Sequence, residues 1–468
     1  MIELNAGQLK AKGEIQSFLR STDPEYFEHT LIGFAGTGKT FLLKYILDEF
    51  SYRTIVASTV SHSAKNILKE SIGDYVECCT TAQLLGLSQE FVNGKEVFRV
   101  SKDAKRKFKR RPIDTVMILV IDECSMIDDP ARNMIRDNVP RYGGVKIIYS
   151  GDSAQLPPVD EDIRTDKDKY RVQKLSPTFS IEHVSILTEV IRYGALIGTV
   201  GKYYRDLISY LDNGGDPVAA INSLYSFLPV WDNGEETVIF TRDVSWFLES
   251  AISDFNQNLL GTRIIAYRNE TIDTNNAVIH PYFFDEEEKY SIGEYLILNR
   301  PYDSGNGILH NGTVIKILDK EAVMHDFGVE HPSETGEYGE TKTIKMKVWK
   351  MKVGVINVTT STIESESYVH GIHQDSEEFY DEVQQQIIEK AKNIENKIWY
   401  NLNTLRSRNI FASKYYCVSC YKAQGQGIEN TYIMLSDIMD VSTISLSTQL
   451  RSLYVAITRT KRKCIVLY

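Results

Sequence analysis

The sequence has few cysteines and no long apolar run. Six cysteines among 468 residues are too few for a disulfide scaffold. No segment reaches the roughly 18 to 20 consecutive apolar residues that a membrane-spanning helix needs. The first residues, MIELNAGQLKAKGE, lack the succession of basic, apolar and small residues that marks a secretory signal. We therefore expect a cytoplasmic protein with no membrane partner.

An excess of positive charge is also missing. The formal net charge is −10 at pH 7. This balance argues against a passive nucleic-acid coat, which is usually basic overall. It does not exclude a protein that binds nucleic acid through a local basic track. Residues 102–111, KDAKRKFKRR, form one such track, with seven basic side chains and one acidic side chain.

Apolar strands alternate with helical stretches over much of the chain, which predicts parallel sheets flanked by helices, an α/β fold class. Asn93-Gly94 between apolar residues predicts a β-hairpin. Short strands and turns from about residue 290 predict a small β barrel, and apolar residues at helical spacing then predict a helical arm. The predicted organisation is 1–185 for a first α/β domain with the hairpin at 86–111, 186–290 and 407–468 for a second α/β domain, and 291–406 for the barrel and arm inserted into it.

Residues 33–40 read GFAGTGKT, which fits the phosphate-binding pattern G-x-x-x-x-G-K-[ST]. Glycines let backbone N–H groups turn toward phosphates, and the following helix offers its positive end to the same anions. We expect Lys39 to reach the β and γ phosphates and the Thr40 hydroxyl to ligate Mg²⁺. The predicted nucleotide-binding residues of this loop are Gly33, Phe34, Ala35, Gly36, Thr37, Gly38, Lys39 and Thr40.

Two carboxylates and a glutamine follow the next buried strands. Asp122 and Glu123 come directly after the apolar run ILVI. Adjacent carboxylates at the end of a buried strand suit metal-assisted hydrolysis, with Asp122 holding Mg²⁺ and Glu123 orienting and deprotonating the attacking water. Gln155, in the segment GDSAQLPPV after the following strand, is expected to contact the γ-phosphate. Together these residues predict hydrolysis of a nucleoside triphosphate, without indicating the work that it drives.

The order of these motifs resembles that of superfamily 1 helicases. Asp-Glu followed by Gly-Asp-x-x-Gln-Leu-Pro-Pro is similar to their motifs II and III. The resemblance is nearest to the Dda-like group of the RecD-like branch, whose members move 5′ to 3′. The other matching segments are 5–8 (Q motif), 59–65 (motif Ia), 187–192 (motif IV), 266–269 with Asn276 (second motor domain), 419–425 (motif V) and 453–459 (motif VI).

This resemblance implies two RecA-like motor domains, an inserted SH3-like barrel and an ATP-dependent DNA helicase of phage-type replication or recombination that uses ATP and Mg²⁺. Gln8 would read the adenine, and Gln424 and Gly425 would also contact the nucleotide. The implied catalytic residues are Lys39, Glu123, Gln155 and two arginine fingers, Arg192 and Arg459. The predicted DNA contacts are Thr59, Ser61, His62, Lys65, Thr81, Phe91, Phe98 and Asn269, the two phenylalanines being the candidate stacking residues of a hairpin wedge.

The implied partners are single-stranded DNA and forked duplex DNA, with a single-stranded-DNA-binding protein or a replisome component as a further candidate. The chain is expected to be a monomer, in the host cytoplasm if it is of phage origin. Three segments depart from the family pattern, all on the expected DNA-facing side. Thr59-Val60-Ser61 stands in place of Ala-Pro-Thr, Thr80-Thr81-Ala82 in place of Thr-x-His, and Tyr421 in place of a histidine.

Several alternatives stay open at the level of sequence. A translocase that strips proteins or drives branch migration would carry the same motifs. A nucleotide-gated binding or signalling NTPase would need no second α/β domain, and DNA-stimulated ATPase activity would separate it from a motor. The hairpin phenylalanines could equally pack against their own domain, and no residue decides whether the barrel and arm support the hairpin or dock a partner.

Overall fold

The structure is a computed structural model of the chain. It describes residues 3–92, 95–100, 111–140, 144–158, 174–190, 195–285, 288–335, 341–393 and 397–468. At some described positions, including the hairpin strands, it describes the backbone alone.

The strands and helices are numbered here in chain order. The strands are β1 Glu28–Gly33, β2 Ile55–Thr59, β3 Glu77–Thr80, β4 Leu87–Val92, β5 Lys95–Val100, β6 Ile118–Ile121, β7 Lys146–Gly151, β8 Val184–Leu187, β9 Val230–Asp232, β10 Thr237–Thr241, β11 Thr262–Ala266, β12 Tyr295–Leu298, β13 Tyr302–Asp303, β14 Ile308–Leu309, β15 Val314–Thr335, β16 Thr341–Asn357, β17 Thr362–Ile372, β18 Ala412–Lys414, β19 Cys417–Ser419, β20 Ile428–Met434 and β21 Thr460–Leu467. The helices are α1 Ala6–Arg20, α2 Lys39–Leu47, α3 His62–Ile72, α4 Thr81–Leu85, α5 Asp129–Asn138, α6 Ala195–Asp212, α7 Pro217–Ser226, α8 Val244–Gln257, α9 Asn269–Ile279, α10 Glu377–Asn393, α11 Lys397–Ser407, α12 Cys420–Ala423, α13 Leu435–Met439 and α14 Leu446–Thr458.

The chain separates into two compact units. The first comprises Met1–Gly86, Lys102–Asn275 and Cys417–Tyr468. The second comprises Leu87–Ser101 and Asn276–Tyr416. The hairpin therefore groups with the long insertion, although the sequence places it within the predicted first domain.

The first sheet of the larger unit has the strand order β3-β2-β6-β7-β1-β8, and its pairings are parallel. Strand β6 is buried along its whole length, as its uninterrupted apolar sequence predicts. Helices α1, α2 and α3 contribute Phe18, Leu43 and Leu68 to the core beside this sheet. Because the strands are parallel, the segments that follow β1, β2, β6 and β7 meet at one edge, where ligands of such sheets bind.

The second sheet of the larger unit has the order β19-β11-β20-β21-β10-β9. Its pairings are parallel except for the short edge strand β9, which pairs antiparallel with β10. The last strand of the chain, β21, lies between β20 and β10, so the C-terminal segment completes a sheet that begins near residue 230. The predicted fold class, α/β with two RecA-like domains, is confirmed, whereas the residue boundaries of the domains stay a prediction.

The smaller unit is built on a five-stranded antiparallel sheet with the order β17-β16-β15-β12-β18. Strands β15 and β16 contain 22 and 17 residues, much longer than the short strands that the turn signals predict. One part of the long ribbon packs with Val383 of α10 and Leu405 of α11, while residues such as Val353 join a separate core with Leu296 and Ile315. The ribbon is therefore long enough to take part in two cores.

The predicted hairpin is formed by β4 and β5, which pair antiparallel from Leu87 opposite Val100 to Val92 opposite Lys95. The turn residues Asn93 and Gly94 lie outside the described residues. Within the smaller unit, strand β4 lies against helix α11 of the arm. Across the part of the chain that the structure describes, no helix combines the length and apolar character needed to cross a membrane.

Candidate functional site

The phosphate-binding loop connects β1 to α2 in a conformation that only glycines adopt easily. Gly36 and Gly38 have φ angles of 79° and 77°, in the left-handed region. A Cβ atom on Gly33 would lie 2.6 Å from Thr37 Oγ1 and 2.9 Å from Lys39 Cγ. The loop is therefore closed around its own lysine, which is why the motif needs glycines at these positions.

Neighbouring side chains hold this loop in place. Lys39 Nζ donates to the carbonyl oxygens of Gly33 and Phe34 at 2.9 and 3.2 Å. Gln8 Nε2 donates to the Thr37 carbonyl at 3.2 Å, and the Gln8 side chain also closes a capping box with Asn5 at the start of α1. The Gln8 side chain thus links the first helix to the loop, a role that the comparison with the Q motif does not reveal.

A cavity of about 640 Å³ opens beside the loop. The predicted residues that line it are Gln8, Ala35, Gly36, Gly38, Lys39, Thr40, Asp122, Glu123, Gln155, Gly425 and Arg459. Phe41 and Tyr45 line it as well, although the sequence analysis did not single them out. Their spacing of four residues places both on one face of α2, and this spacing was the signal available in the sequence.

Two buried polar atoms near this cavity have no hydrogen-bond partner among the described residues: Arg459 Nε and Gln424 Oε1. We call the two sheets of the larger unit, each with the helices packed on it, the first and second sheet domains. Arg459 directly follows α14 of the second sheet domain and is only 6% exposed. A buried polar group without a partner is costly. A phosphate group in the cavity would accept from Arg459, so the residues present fit a nucleoside triphosphate.

The adjacent carboxylates occupy the carboxyl end of β6. Asp122 Oδ1 accepts from Ser150 Oγ at 2.9 Å, which holds this carboxylate in place. Glu123 has a φ of 53°, an uncommon backbone conformation for a residue other than glycine and one that concentrates at functional sites. Burial and the neighbouring Asp122 raise the pKa of Glu123 above its ordinary value, while Arg459 and Lys39 oppose the increase. A raised pKa suits a carboxylate that must accept a proton from water.

The raised pKa of Glu123 leads to a prediction about the pH dependence of turnover. A general base works in its deprotonated form, so activity should be lost as the pH falls through the raised pKa. We expect the acidic limb of the kcat profile to lie above about 4.3, the ordinary glutamate value. Steady-state ATPase rates at saturating ATP across this range measure it, with the melting temperature followed at each pH. A limb at or below the ordinary value in a protein that stays folded would contradict the assignment.

Gln155 is buried and connects the two sheet domains of the larger unit. Its Oε1 accepts from Gln424 Nε2 at 3.0 Å, and the same amide nitrogen lies 3.3 Å from Ser125 Oγ. Gln424 follows α12 of the second sheet domain, whereas Gln155 follows β7 of the first. Gln424 thus contacts the nucleotide site through Gln155, and it is not among the residues that line the cavity.

Comparison with known proteins shows what this chain is similar to. Residues 3–168 match the family model described as an AAA domain. The chain is 23% identical to the uncharacterized protein R530 of Acanthamoeba polyphaga mimivirus, over 98% of each chain. It is 24% identical to the ATP-dependent DNA helicase dda of Enterobacteria phage T4, over 68% of this chain and 71% of that protein. A solved structure of Pif1 helicases unwinding forked duplex DNA aligns with a TM-score of 0.47 and 16% identity, covering 99% of this chain and 92% of that one. The family model and these similarities to helicases support a superfamily 1 helicase of the Dda and Pif1 type.

In this helicase the candidate DNA contacts of the first sheet domain cluster at the carboxyl ends of β2 and β3. Thr59 Oγ1 donates to the Ser61 carbonyl at 3.0 Å, and Ser61 Oγ accepts from Ala64 N at 3.1 Å as the N-cap of α3. Thr81 Oγ1 donates to the Thr59 carbonyl at 3.3 Å. His62 and Lys65 lie in the first turns of α3. These residues share one edge of the sheet, and their contact with DNA stays a prediction.

Asn269, the candidate DNA contact of the second sheet domain, is the first residue of α9. The start of this helix is held by Asp437, which accepts from the backbone nitrogens of Tyr267 and Arg268 at 2.6 and 3.0 Å and from Thr271 Oγ1 at 2.5 Å. Burial acts to raise the pKa of Asp437, but hydrogen bonds from Thr271 and Arg268 outweigh it and hold the pKa below its ordinary value. Asp437 lies 168 positions after Asn269 in the sequence, so no local signal reveals its role.

Several predicted residues cannot be located. Arg192, the first candidate arginine finger, lies outside the described residues, as does the basic run from 102 to 110. The backbones of Phe91 and Phe98 lie in β4 and β5, but their side chains are outside the description. The assignments of these residues stay predictions.

Proposed function

We propose that this helicase couples ATP hydrolysis to 5′-to-3′ movement along single-stranded DNA and separates the duplex ahead of it. Helicase activity is supported by the similarity to proteins named as ATP-dependent DNA helicases. The proposed polarity and the proposed DNA substrates both rest on the resemblance to the RecD-like branch. These substrates are single strands and forks. The observation that carries the proposal is one cavity lined by Lys39, Glu123 and Gln155 of the first sheet domain and Arg459 of the second.

Hydrolysis at this site depends on both sheet domains. Lys39 and the loop nitrogens would bind the β and γ phosphates, while Glu123 takes a proton from the attacking water. Arg459 would approach the γ phosphate from the second domain and stabilise the charge of the transferring phosphoryl group. Because the arginine belongs to a different domain from the loop, turnover requires that the two domains stand close together, and relative motion of the domains can drive stepping.

Mg²⁺ fits the same cavity. Thr40 and Asp122 both line it and offer the oxygen ligands that Mg²⁺ prefers. The described residues contain no group of three or more His, Cys, Asp or Glu side chains placed to hold a metal. A Mg²⁺ held by one hydroxyl, one carboxylate, water and phosphate oxygens does not need such a group. When bound, the ion would neutralise developing charge on the phosphates.

The hairpin is the proposed strand-separating element. Its strand β4 lies against α11, so the arm can support the hairpin within the smaller unit. An isolated two-stranded hairpin is marginally stable in water. A hairpin that separates DNA strands at a fork therefore needs a supporting contact of this kind. The contact between β4 and α11 favours unwinding over translocation without unwinding.

The test of the proposed function compares wild type with Lys39→Ala. We expect single-stranded DNA to stimulate wild-type ATPase and the duplex with a 5′ tail, but not that with a 3′ tail, to be unwound. Loss of one preorganised charge contact at a phosphoryl-transfer site lowers turnover by about 10²–10³-fold, and Lys39→Ala should show this loss while still binding single-stranded DNA.

Three results would correct the proposal in different ways. Unwinding from the 3′ tail alone would reverse the polarity. Stimulation without unwinding of either duplex would favour the translocase. An ATPase that no nucleic acid stimulates would remove the motor and leave an NTPase.

A further inference from the structure

The nucleotide cavity continues past the phosphate-binding loop along one face of α2. Phe41, Lys44 and Tyr45 line this part of the cavity from α2, while Ile67 and Ser71 line it from α3. Lys44 and Tyr45 are three and four positions after Phe41, a spacing that places the three residues on one helical face. When the phosphates of a nucleotide lie against the loop, its ribose and base must extend further along the cavity. The base is therefore expected beside this face of α2.

Two aromatic side chains on this face are only partly covered. Phe41 is 37% exposed and Tyr45 is 42% exposed, and both line the cavity. A phenylalanine ring is more often buried in a protein core. The Tyr45 ring is held by Lys12, whose Nζ lies 4.6 Å from the ring centroid. Every nucleobase has a flat π face, and stacking on an aromatic ring needs no particular set of edge groups. The two rings therefore offer a surface to any base.

Gln8, which the family resemblance assigns to the adenine, has its amide engaged elsewhere. Its Oε1 accepts from Asn5 N at 3.2 Å, and its Nε2 donates to the Thr37 carbonyl at 3.2 Å. The residue lines the cavity but is only 2% exposed, so almost none of its surface is open to a base. An amide reads adenine with both ends at once, by accepting from N6 and donating to N7. To make these bonds, Gln8 would have to leave both the helix cap and the loop.

Three further polar side chains from α2, the residue after it and α3 line the cavity without separating adenine from guanine. Ser71 Oγ donates to the Ile67 carbonyl at 2.7 Å, and Asp48 Oδ1 accepts from the Tyr75 hydroxyl at 2.6 Å. Because Asp48 is exposed, a hydrogen bond from a base to its carboxylate competes with water. Lys44 can only donate, and both purines carry the N7 acceptor. These side chains therefore favour neither purine.

We infer that the site holds the base by stacking on Phe41 and Tyr45 without reading its edge, so that the enzyme hydrolyses GTP as well as ATP. The inference rests on the proposed function, hydrolysis of a nucleoside triphosphate in this cavity, and adds the substrate class, purine nucleoside triphosphates. Gln8 is then a positioning residue, which holds the loop through the Thr37 carbonyl. Hydrogen-bonded recognition rejects a wrong ligand by about 10⁴–10⁵-fold, whereas an apolar surface achieves far less.

A comparison of three triphosphates tests the inference on the unchanged protein. ATP, GTP and purine riboside triphosphate, which lacks the N6 amino group, are compared by kcat/KM in the presence of Mg²⁺ and without DNA. We expect the three values to agree within about tenfold, because each base presents a similar bicyclic face and one hydrogen bond to an edge group is worth up to about tenfold. A larger difference would show that the edge of the base is read, and it would overturn the inference.

Phe41→Ala and Tyr45→Ala test the stacking surface. Each removes one ring from the cavity, and the loss of one stacking contact should raise KM by about tenfold. The increase should be the same for ATP and GTP, while kcat changes little. The matched control is Tyr52→Ala, because Tyr52 is 76% exposed and does not line the cavity. KM values that stay at the wild-type level in both cavity variants would overturn the inference.

Gln8→Ala separates a positioning role from a role in reading the base. The variant loses the hydrogen bond to the Thr37 carbonyl, so turnover of ATP and GTP should fall by the same factor. The ratio of their kcat/KM values should stay at the wild-type value, which a residue that reads adenine would not allow. A fall of this ratio by about tenfold or more would contradict the inference. If the variant does not fold, the wild-type comparison of triphosphates decides alone.

The experiment distinguishes failure of the inference from failure of the proposed function. The triphosphates are compared without DNA, and stimulation by single-stranded DNA is measured separately. Equal use of ATP and GTP without any stimulation by nucleic acid would remove the motor and support the inference about the base. Strong preference for ATP together with normal stimulation would overturn the inference and leave the motor. An absence of all hydrolysis would remove both.

Discussion

Replacing Arg459 by alanine should lower DNA-stimulated ATP turnover by about 10³–10⁵-fold, the contribution of an arginine finger to phosphoryl transfer. The side chain lines the nucleotide cavity from the second sheet domain, and its buried Nε has no hydrogen-bond partner among the described residues. A cation held in this way is ready to meet charge that develops on the γ phosphate. The measurement is single-turnover hydrolysis with saturating DNA, which separates the chemical step from product release.

Lys463→Ala is the matched control for Arg459→Ala. Lys463 carries the same charge four positions later, but it forms an ion pair with Asp254 at 2.9 Å and does not line the cavity. We expect this control to turn over ATP within about twofold of wild type, because Lys463 lies outside the nucleotide cavity. An Arg459→Ala variant that retained a tenth or more of wild-type turnover would show that another group stabilises the transition state.

Glu123→Gln should lower turnover by about 10²–10⁴-fold, the usual contribution of a general base. Glutamine keeps the size of the side chain but cannot accept the proton of the attacking water. Because Asp122 lies beside Glu123 and acts to raise its pKa, removal of the Glu123 charge also relieves repulsion. Nucleotide affinity should therefore stay the same or rise while kcat collapses. Binding of a fluorescent nucleotide together with steady-state kcat measures both effects.

The control for this variant is Glu49→Gln. Glu49 forms surface ion pairs with Lys12 and Arg20, at 3.4 Å each, and an exposed pair of this kind contributes little. The Glu49→Gln substitution should leave kcat unchanged. Turnover of Glu123→Gln near the wild-type rate would show that water is activated elsewhere, and a large loss of nucleotide affinity would show that Glu123 binds rather than reacts.

The parts of the fold that the sequence predicts well are those with local causes. The uninterrupted apolar run ILVI predicts the buried strand β6, and Asn93-Gly94 predicts the hairpin formed by β4 and β5. The phosphate-binding loop is equally local, since two left-handed glycines and one close approach define it. The adjacent carboxylates Asp122 and Glu123 and the nucleotide-binding residues are likewise predicted from short segments.

The contacts that the sequence does not reveal are those between distant residues. Asp152 was within a recognised segment, yet its partners Arg205 and Tyr454 lie 53 and 302 positions away. Arginines and tyrosines on helices ordinarily face solvent or pack in the core, so neither residue type signals a buried hydrogen bond. Asp437, which holds the start of α9, was missed for the same reason.

The length of β15 and β16 was also unpredictable from local patterns. Charged and apolar residues alternate along them, but one part of the ribbon packs with the arm and another joins the separate core that contains Leu296 and Ile315. A single stretch with two partners has no uniform periodicity, so the sequence suggests several short strands. The grouping of the hairpin with this insertion likewise depends on packing between β4 and α11, which are more than about 300 residues apart in the sequence.

The position of Lys39 has a consequence for nucleotide exchange. Its ammonium group is held by the carbonyl oxygens of Gly33 and Phe34 rather than by solvent alone. An incoming phosphate would therefore compete with these two carbonyl oxygens for the ammonium group of Lys39. The loss of their hydrogen bonds would offset part of the attraction between the phosphate and the lysine. The two carbonyl oxygens would again be available to the lysine once the product leaves. A motor that must release ADP at every step gains from this arrangement, because weaker retention of product shortens the interval between steps.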